Sequence, residues 1–212
     1  MESLAKAIAA SIGQKLGKNE DEVAVIAYGL IGIFQFLAIL IISLIIGIIF
    51  GFVAEVLTIF LSVGFLRRLT GGAHSRGLYN CLVYSVVFVC GFSALCHFLV
   101  VQLPLYRIIL PAVAAIYLFG YITIALKAPV TPKNKPCRTE EKRRRLRRGS
   151  FTVLSVFLVL DVLLLILGKG TLYAIGLALA VSVLWQIFMM TRPGHALIYV
   201  IDGAFLHRRA EK

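Results

Sequence analysis

One histidine and one cysteine stand close together in the stretch Arg67-Arg68-Leu69-Thr70-Gly71-Gly72-Ala73-His74-Ser75-Arg76-Gly77-Leu78-Tyr79-Asn80-Cys81. A thiol beside an imidazole can lose its proton and attack a carbonyl carbon, so the pair points to acyl transfer. Spacing alone does not bring them together. In one straight helix they would lie about 10 Å apart along the axis, whereas direct proton transfer needs about 3 Å. Gly71, Gly72 and Gly77 permit backbone turns that other residues resist. The sequence therefore predicts a helix starting near Gly77, with Gly71–Ser75 folded back over its first turn and Cys81 in or near that turn. There the helix dipole and unpaired N–H groups favour a thiolate. Arg76 adds positive potential, and the same N–H groups can bind an oxyanion. The plainer reading is that Cys81 is a small apolar residue and Gly71-Gly72 an ordinary loop.

The elements that must carry this segment read as membrane spans. Of 212 residues, 60% are hydrophobic and 15% charged, against about 45–50% and 25% in soluble domains. No Asp, Glu, Lys or Arg occurs from Val23 to Ala54, which is longer than the run of about 18 that marks a span. Six spans are expected near Ala27–Ile48, Phe52–Leu66, Leu78–Val101, Tyr106–Leu126, Phe151–Leu167 and Leu172–Met190. The second is short and carries Glu55, so it reads as tilted, re-entrant or shallow. Residues 1–18 place Leu4, Ala5, Ile8, Ala9, Ile12 and Leu16 at helical spacing, which predicts an amphipathic helix lying in the interface. Glu2, Lys6 and Lys15 argue against a cleavable signal. Asn19 is placed to cap the next helix. The fold class is all-α: a polytopic transmembrane helical bundle of about six spans with an N-terminal interfacial helix. Residues 1–212 read as a single integral membrane domain, with 67–77 the candidate catalytic loop and 127–150 a basic loop.

Basic residues cluster after the second span (Arg67, Arg68, Arg76), after the fourth (Lys127 to Arg148) and after the sixth. The positive-inside rule then puts both termini, both basic loops and the candidate site in the cytoplasm. A net charge of +12 fits anionic lipid headgroups better than nucleic acid. Cys81, Cys90, Cys96 and Cys137 form neither a disulfide framework nor a zinc pattern, and no metal or cofactor is expected. Cys90, Cys96 and His97 read as packing residues, and His195 and His207 as tail residues. Glu55 and Asp161 are intramembrane acids, functional candidates by default. The bundle otherwise offers them Gln35, Gln186 or a tyrosine hydroxyl as structural partners.

Arg67-Arg68, Gly72-Ala73-His74 and Cys81, with Ala128-Pro129 followed by Lys133 and Lys135, closely resemble the accessory gene regulator B (AgrB) family. The resemblance covers most of the chain. It implies a membrane cysteine endopeptidase of the bacterial cell membrane, multi-pass, that cuts a short quorum-sensing precursor peptide near its C-terminal end. It also implies that Cys81 is the nucleophile, forming a thioester that a cysteine of the peptide attacks to give a cyclic thiolactone, and that His74 is the general base. Arg67 and Gly72 match family positions, and Arg76, Lys133 and Lys135 are expected to support substrate binding. The implied partners are a precursor with an amphipathic N-terminal helix and anionic lipids. A monomer and a homodimer are both compatible with the sequence. A small peptide transporter or export component would explain the spans, Glu55 and Asp161, but not the clustering of glycines, His74 and Cys81. A lipid-recruiting scaffold would use the basic loop and leave Cys81 idle.

Overall fold

The computed structural model of the protein describes residues 2–73, 77–100, 106–130 and 139–210, and all side chains among them but those of 99, 100, 106–108 and 204–210. These residues form eight α-helices: α1 Glu2–Leu16, α2 Glu20–Phe50, α3 Val53–Thr70, α4 Leu78–Val100, α5 Tyr106–Lys127, α6 Glu140–Leu167, α7 Thr171–Met189 and α8 Arg192–Ala210. The all-α expectation holds. Asn19 caps α2 as its sequence predicts. Its Oδ1 accepts from the Glu22 amide at 2.8 Å while Glu22 accepts from the Asn19 amide at 3.2 Å, which satisfies two donors that the helix start leaves unpaired. Gly51, at φ 83°, closes the other end and lets α3 turn back at once.

Five helices (α2, α4, α5, α6 and α7) are long and apolar enough to cross a membrane, which makes this a multi-pass membrane protein. The expected second span is the departure. Its helix, α3, runs on to Thr70 and carries Glu55 in its first turn and Arg67 and Arg68 in its last. It is accordingly not among the five, yet it packs between α2, α4, α6 and α7. The N-terminal helix also differs in its contacts. It buries Ala5, Ala9 and Gly13, a stripe of small residues at helical spacing that lets α1 pack closely against α2. Leu4 and Leu16 stay exposed.

Helix α7 lies at the centre. Val183, Ile187 and Met190 join one cluster with Leu66, Tyr117 and Leu154. Ala178 joins a second with Phe52, Ile59 and Phe88. Met189 joins a third with Ala73 and Ile198. Ala174, Gly176, Ala178, Ala180 and Ser182, all buried, keep its surface low enough for neighbours to approach. At Gly176 an added Cβ would come within 3.0 Å of Leu165.

His97 is more than a packing residue. Its Nδ1 lies 2.8 Å from Oε1 of Glu55, whose side chain is 1% exposed against 31% for His97. The pair ties the first turn of α3 to the last turns of α4. Neither Gln35 nor Gln186 serves the buried acids. Gln35 donates to the Leu78 carbonyl and Gln186 to the end of α3. Asp161 is fully buried. The Tyr117 hydroxyl approaches it, but its carboxylate oxygens close no hydrogen bond among the described residues.

The unequal exposure of the Glu55–His97 pair sets an order of costs. His97→Leu strands a buried carboxyl and is expected to cost about 3 kcal/mol, more than Glu55→Leu, which leaves an imidazole with some access to its surroundings. The double variant should recover most of the loss. Unfolding in mixed detergent micelles measures all three; equal, negligible losses would show that the pair contributes nothing.

Candidate active site

The chain leaves α3 through Thr70 and Gly71, and backbone groups of Thr70, Gly71 and Ala73 find partners around this break. The Gly71 amide donates to the Arg67 carbonyl at 2.9 Å, and the Val130 amide donates to the Thr70 carbonyl at 2.8 Å. Gly71 and Val130 thereby form a parallel bridge. The approach is too close for any side chain, because a Cβ on Gly71 would lie 1.9 Å from the Val130 carbonyl oxygen. Its φ of 71° also favours glycine. Gly72 sits at φ 140°, with room for a Cβ 3.4 Å from the Met189 oxygen. Conformation rather than space selects glycine there.

Two side chains hold the turn from opposite sides. Gln186 of α7 donates from Nε2 to Thr70 Oγ1 at 2.8 Å and to the Gly71 carbonyl at 2.7 Å. The Arg67 guanidinium donates to the carbonyl of Ala73, and the Ala73 amide donates to the Met189 carbonyl at 3.0 Å. The loop is therefore docked on the C-terminal end of α7. The segment after α5 is held as well, by Arg147 donating to the Ala128 carbonyl at 3.2 Å.

On the far side of residues 74–76 the expected helix start is found. Helix α4 begins at Leu78, and the Cys81 amide donates to the Gly77 carbonyl at 3.0 Å. Cys81 thus occupies the first turn. Cys81's own amide is thereby committed inside the helix. Its side chain is half-buried, and its thiol donates to the Tyr84 hydroxyl at 3.6 Å. Tyr84, one turn on, packs against Ala73, Met189 and Ile198. The turn is fixed from two more directions: Asn80 donates to Asp202 of α8 at 3.2 Å, and Gln35 of α2 donates to the Leu78 carbonyl at 3.3 Å.

Of the residues singled out in the sequence, Arg67, Gly72 and Cys81 meet at one end of the bundle. His74, Arg76, Lys133, Lys135 and Cys137 lie outside the described residues. Among the described residues no three metal-ligating side chains come together. Gln186, Tyr84, Asn80 and Asp202 were not legible as parts of this site. Gln186 signals only that a polar group stands in an apolar helix, and its partners are 115 and 116 residues away.

A family model described as Accessory gene regulator B matches residues 5–190. An AgrB-like protein of Clostridium perfringens (strain SM101 / Type A) is 30% identical over 209 residues, 96% of this chain and 97% of the relative. AgrB-like protein 2 of Clostridium perfringens (strain 13 / Type A) has the same identity and coverage. An AgrB-like protein of Halalkalibacterium halodurans is 28% identical over 167 residues, 77% of this chain and 78% of the relative. No solved structure matches the chain significantly.

Gln186→Leu keeps the side chain's bulk and removes both hydrogen bonds into the turn. At about 1 kcal/mol each, their loss should raise amide hydrogen exchange of Gly71–Ala73 roughly tenfold or more. Unchanged exchange would mean that the loop docks without Gln186.

Proposed function

The chain belongs to the accessory gene regulator B family, membrane proteins that process quorum-sensing peptides, and we propose that it does so as a cysteine endopeptidase. The observation that carries this reading is the position of Cys81. It stands in the first turn of α4, half-buried, at the bundle end where the Gly71–Ala73 turn is docked. A nucleophile there profits from the positive end of the helix dipole. His74 takes the thiol proton. The sulfur attacks a carbonyl near the C-terminal end of a short precursor, and the peptide bond breaks as the leaving amine takes up a proton. The acyl group remains on Cys81 as a thioester. A cysteine within the peptide then attacks, the thioester passes to it, and a thiolactone ring is released. Exchange of one thioester for another is close to neutral in energy, whereas hydrolysis is downhill, so the site must exclude water.

In this reading Arg67 and Gly72 act by shaping the turn. Arg67 bonds the Ala73 carbonyl, and Gly72 adopts the backbone that brings Ala73 onto Met189. Arg76, Lys133 and Lys135 supply positive charge for the precursor's tail. Both termini and the site face the cytoplasm, where the basic residues meet anionic lipid. The precursor's own amphipathic helix shares that interface, which raises its effective concentration. A transporter reading gains little from the buried acids. Glu55 is satisfied by His97 at the opposite end of α3, and Asp161 is fully buried beside Tyr117.

Mass spectrometry of the protein in liposomes with its precursor peptide tests the reading. Wild type should yield cut peptide and an acyl adduct on Cys81. Cys81→Ala should yield neither, and His74→Ala should be slower by about 10²–10⁴-fold. Cleavage persisting in Cys81→Ala would sink the proposal.

A further inference from the structure

The turn that carries Cys81 brings a second chemical group to the sulfur. Tyr84 follows by three residues on the same helix face, and its hydroxyl lies 3.6 Å from Sγ. The ring is not free to leave, because it packs against Ala73, Met189 and Ile198. These residues come from the docked turn, the end of α7 and α8. Among the described residues, Arg67 and Ser85 are also close enough to act on the hydroxyl. One patch of packing therefore fixes both the loop and the hydroxyl that faces the thiol.

We propose that Tyr84 is a catalytic residue whose hydroxyl donates to the oxyanion formed when Cys81 attacks a carbonyl; this rests on the cysteine peptidase reading. The separation suits that task. A hydroxyl 3.6 Å from sulfur makes a weak bond to the thiol itself. It can nonetheless reach an oxygen carried by the carbon bonded to that sulfur, where donors need to come within about 2.7–3.1 Å. The step balances without any co-reactant. The thiolate pair forms the C–S bond and the carbonyl π pair moves to oxygen, where the Tyr84 O–H hydrogen-bonds it. That pair then returns as the C–N bond breaks. The proton taken from the thiol leaves on the amine, and Tyr84 keeps its own. The role also fills the gap left by the Cys81 amide, which is bonded to Gly77.

Two small reagents separate this role from a structural one in the full-length protein in liposomes. Acylation of Cys81 by p-nitrophenyl acetate passes through an oxyanion, whereas alkylation by iodoacetamide displaces iodide and forms none. Tyr84→Phe keeps the ring and its packing. It should slow acylation about a hundredfold while slowing alkylation by less than about threefold, the size expected for loss of one oxyanion donor. Tyr84→Ala, which also removes the packing, should slow both. If Tyr84→Phe slows both reactions equally, the hydroxyl orients the sulfur and the proposal is overturned; an unchanged acylation rate overturns it too. Adducts are located by mass spectrometry with Cys81→Ala as control. Wild type that gains no adduct on Cys81 from either reagent would bring down the peptidase reading itself, a result distinct from failure of the Tyr84 assignment alone.

Discussion

A break in a helix near lipid leaves amides and carbonyls that water cannot serve, and the rest of this architecture answers that constraint. Between Thr70 and Ala73 the backbone is irregular. Its groups find partners on two other elements: Val130 after α5, and Met189 and Gln186 on α7. Three helices therefore have to end at the same level. This explains why α7 is central and why small residues line it. Without the close approach of α5 and α6 to α7, neither Val130 nor Arg147 would come near the turn.

The α3–α4 hairpin is held at both ends by different chemistry. At one end a carboxyl and an imidazole meet inside the bundle. At the other, a guanidinium bonds a main-chain carbonyl and an amide side chain clasps a threonine and a glycine. Buried polar contacts of this kind add modest net stability. Their directionality fixes the rotation of each helix, which apolar side chains alone leave open. For Cys81 rotation matters, since Tyr84, whose hydroxyl lies beside its thiol, packs on the cluster of Ala73, Met189 and Ile198.

Much of this was legible in the residues themselves. Uncharged runs mark the spans, the Asn19–Glu22 box marks a start, and the three glycines mark the break that puts Cys81 in a first turn. What local pattern could not show is which distant groups meet. Glu55 and His97 are 42 residues apart, and nothing near either one names the other. Gln186 reads equally well as a partner for a buried acid. Arg67 and Arg68 look alike in sequence, yet the structure gives Arg67 a carbonyl to hold. The second span, expected to be short and tilted, re-entrant or shallow, stands apart from the others. Its apolar face is real, but the charges at its two ends serve contacts inside the bundle, so length and hydropathy do not describe it.

Helix α2 carries a consequence of its own. Its 31 residues extend about 46 Å at 1.5 Å per residue, well beyond a hydrocarbon core of about 30 Å. Such hydrophobic mismatch is relieved by tilting or by local thickening of the bilayer. Because Gln35 of α2 is bonded to Leu78 at the start of α4, a change in the tilt of α2 pulls on the turn that holds Cys81. Bilayer thickness, set by the acyl chains of the surrounding lipid, thus becomes a mechanical input to the geometry around the sulfur.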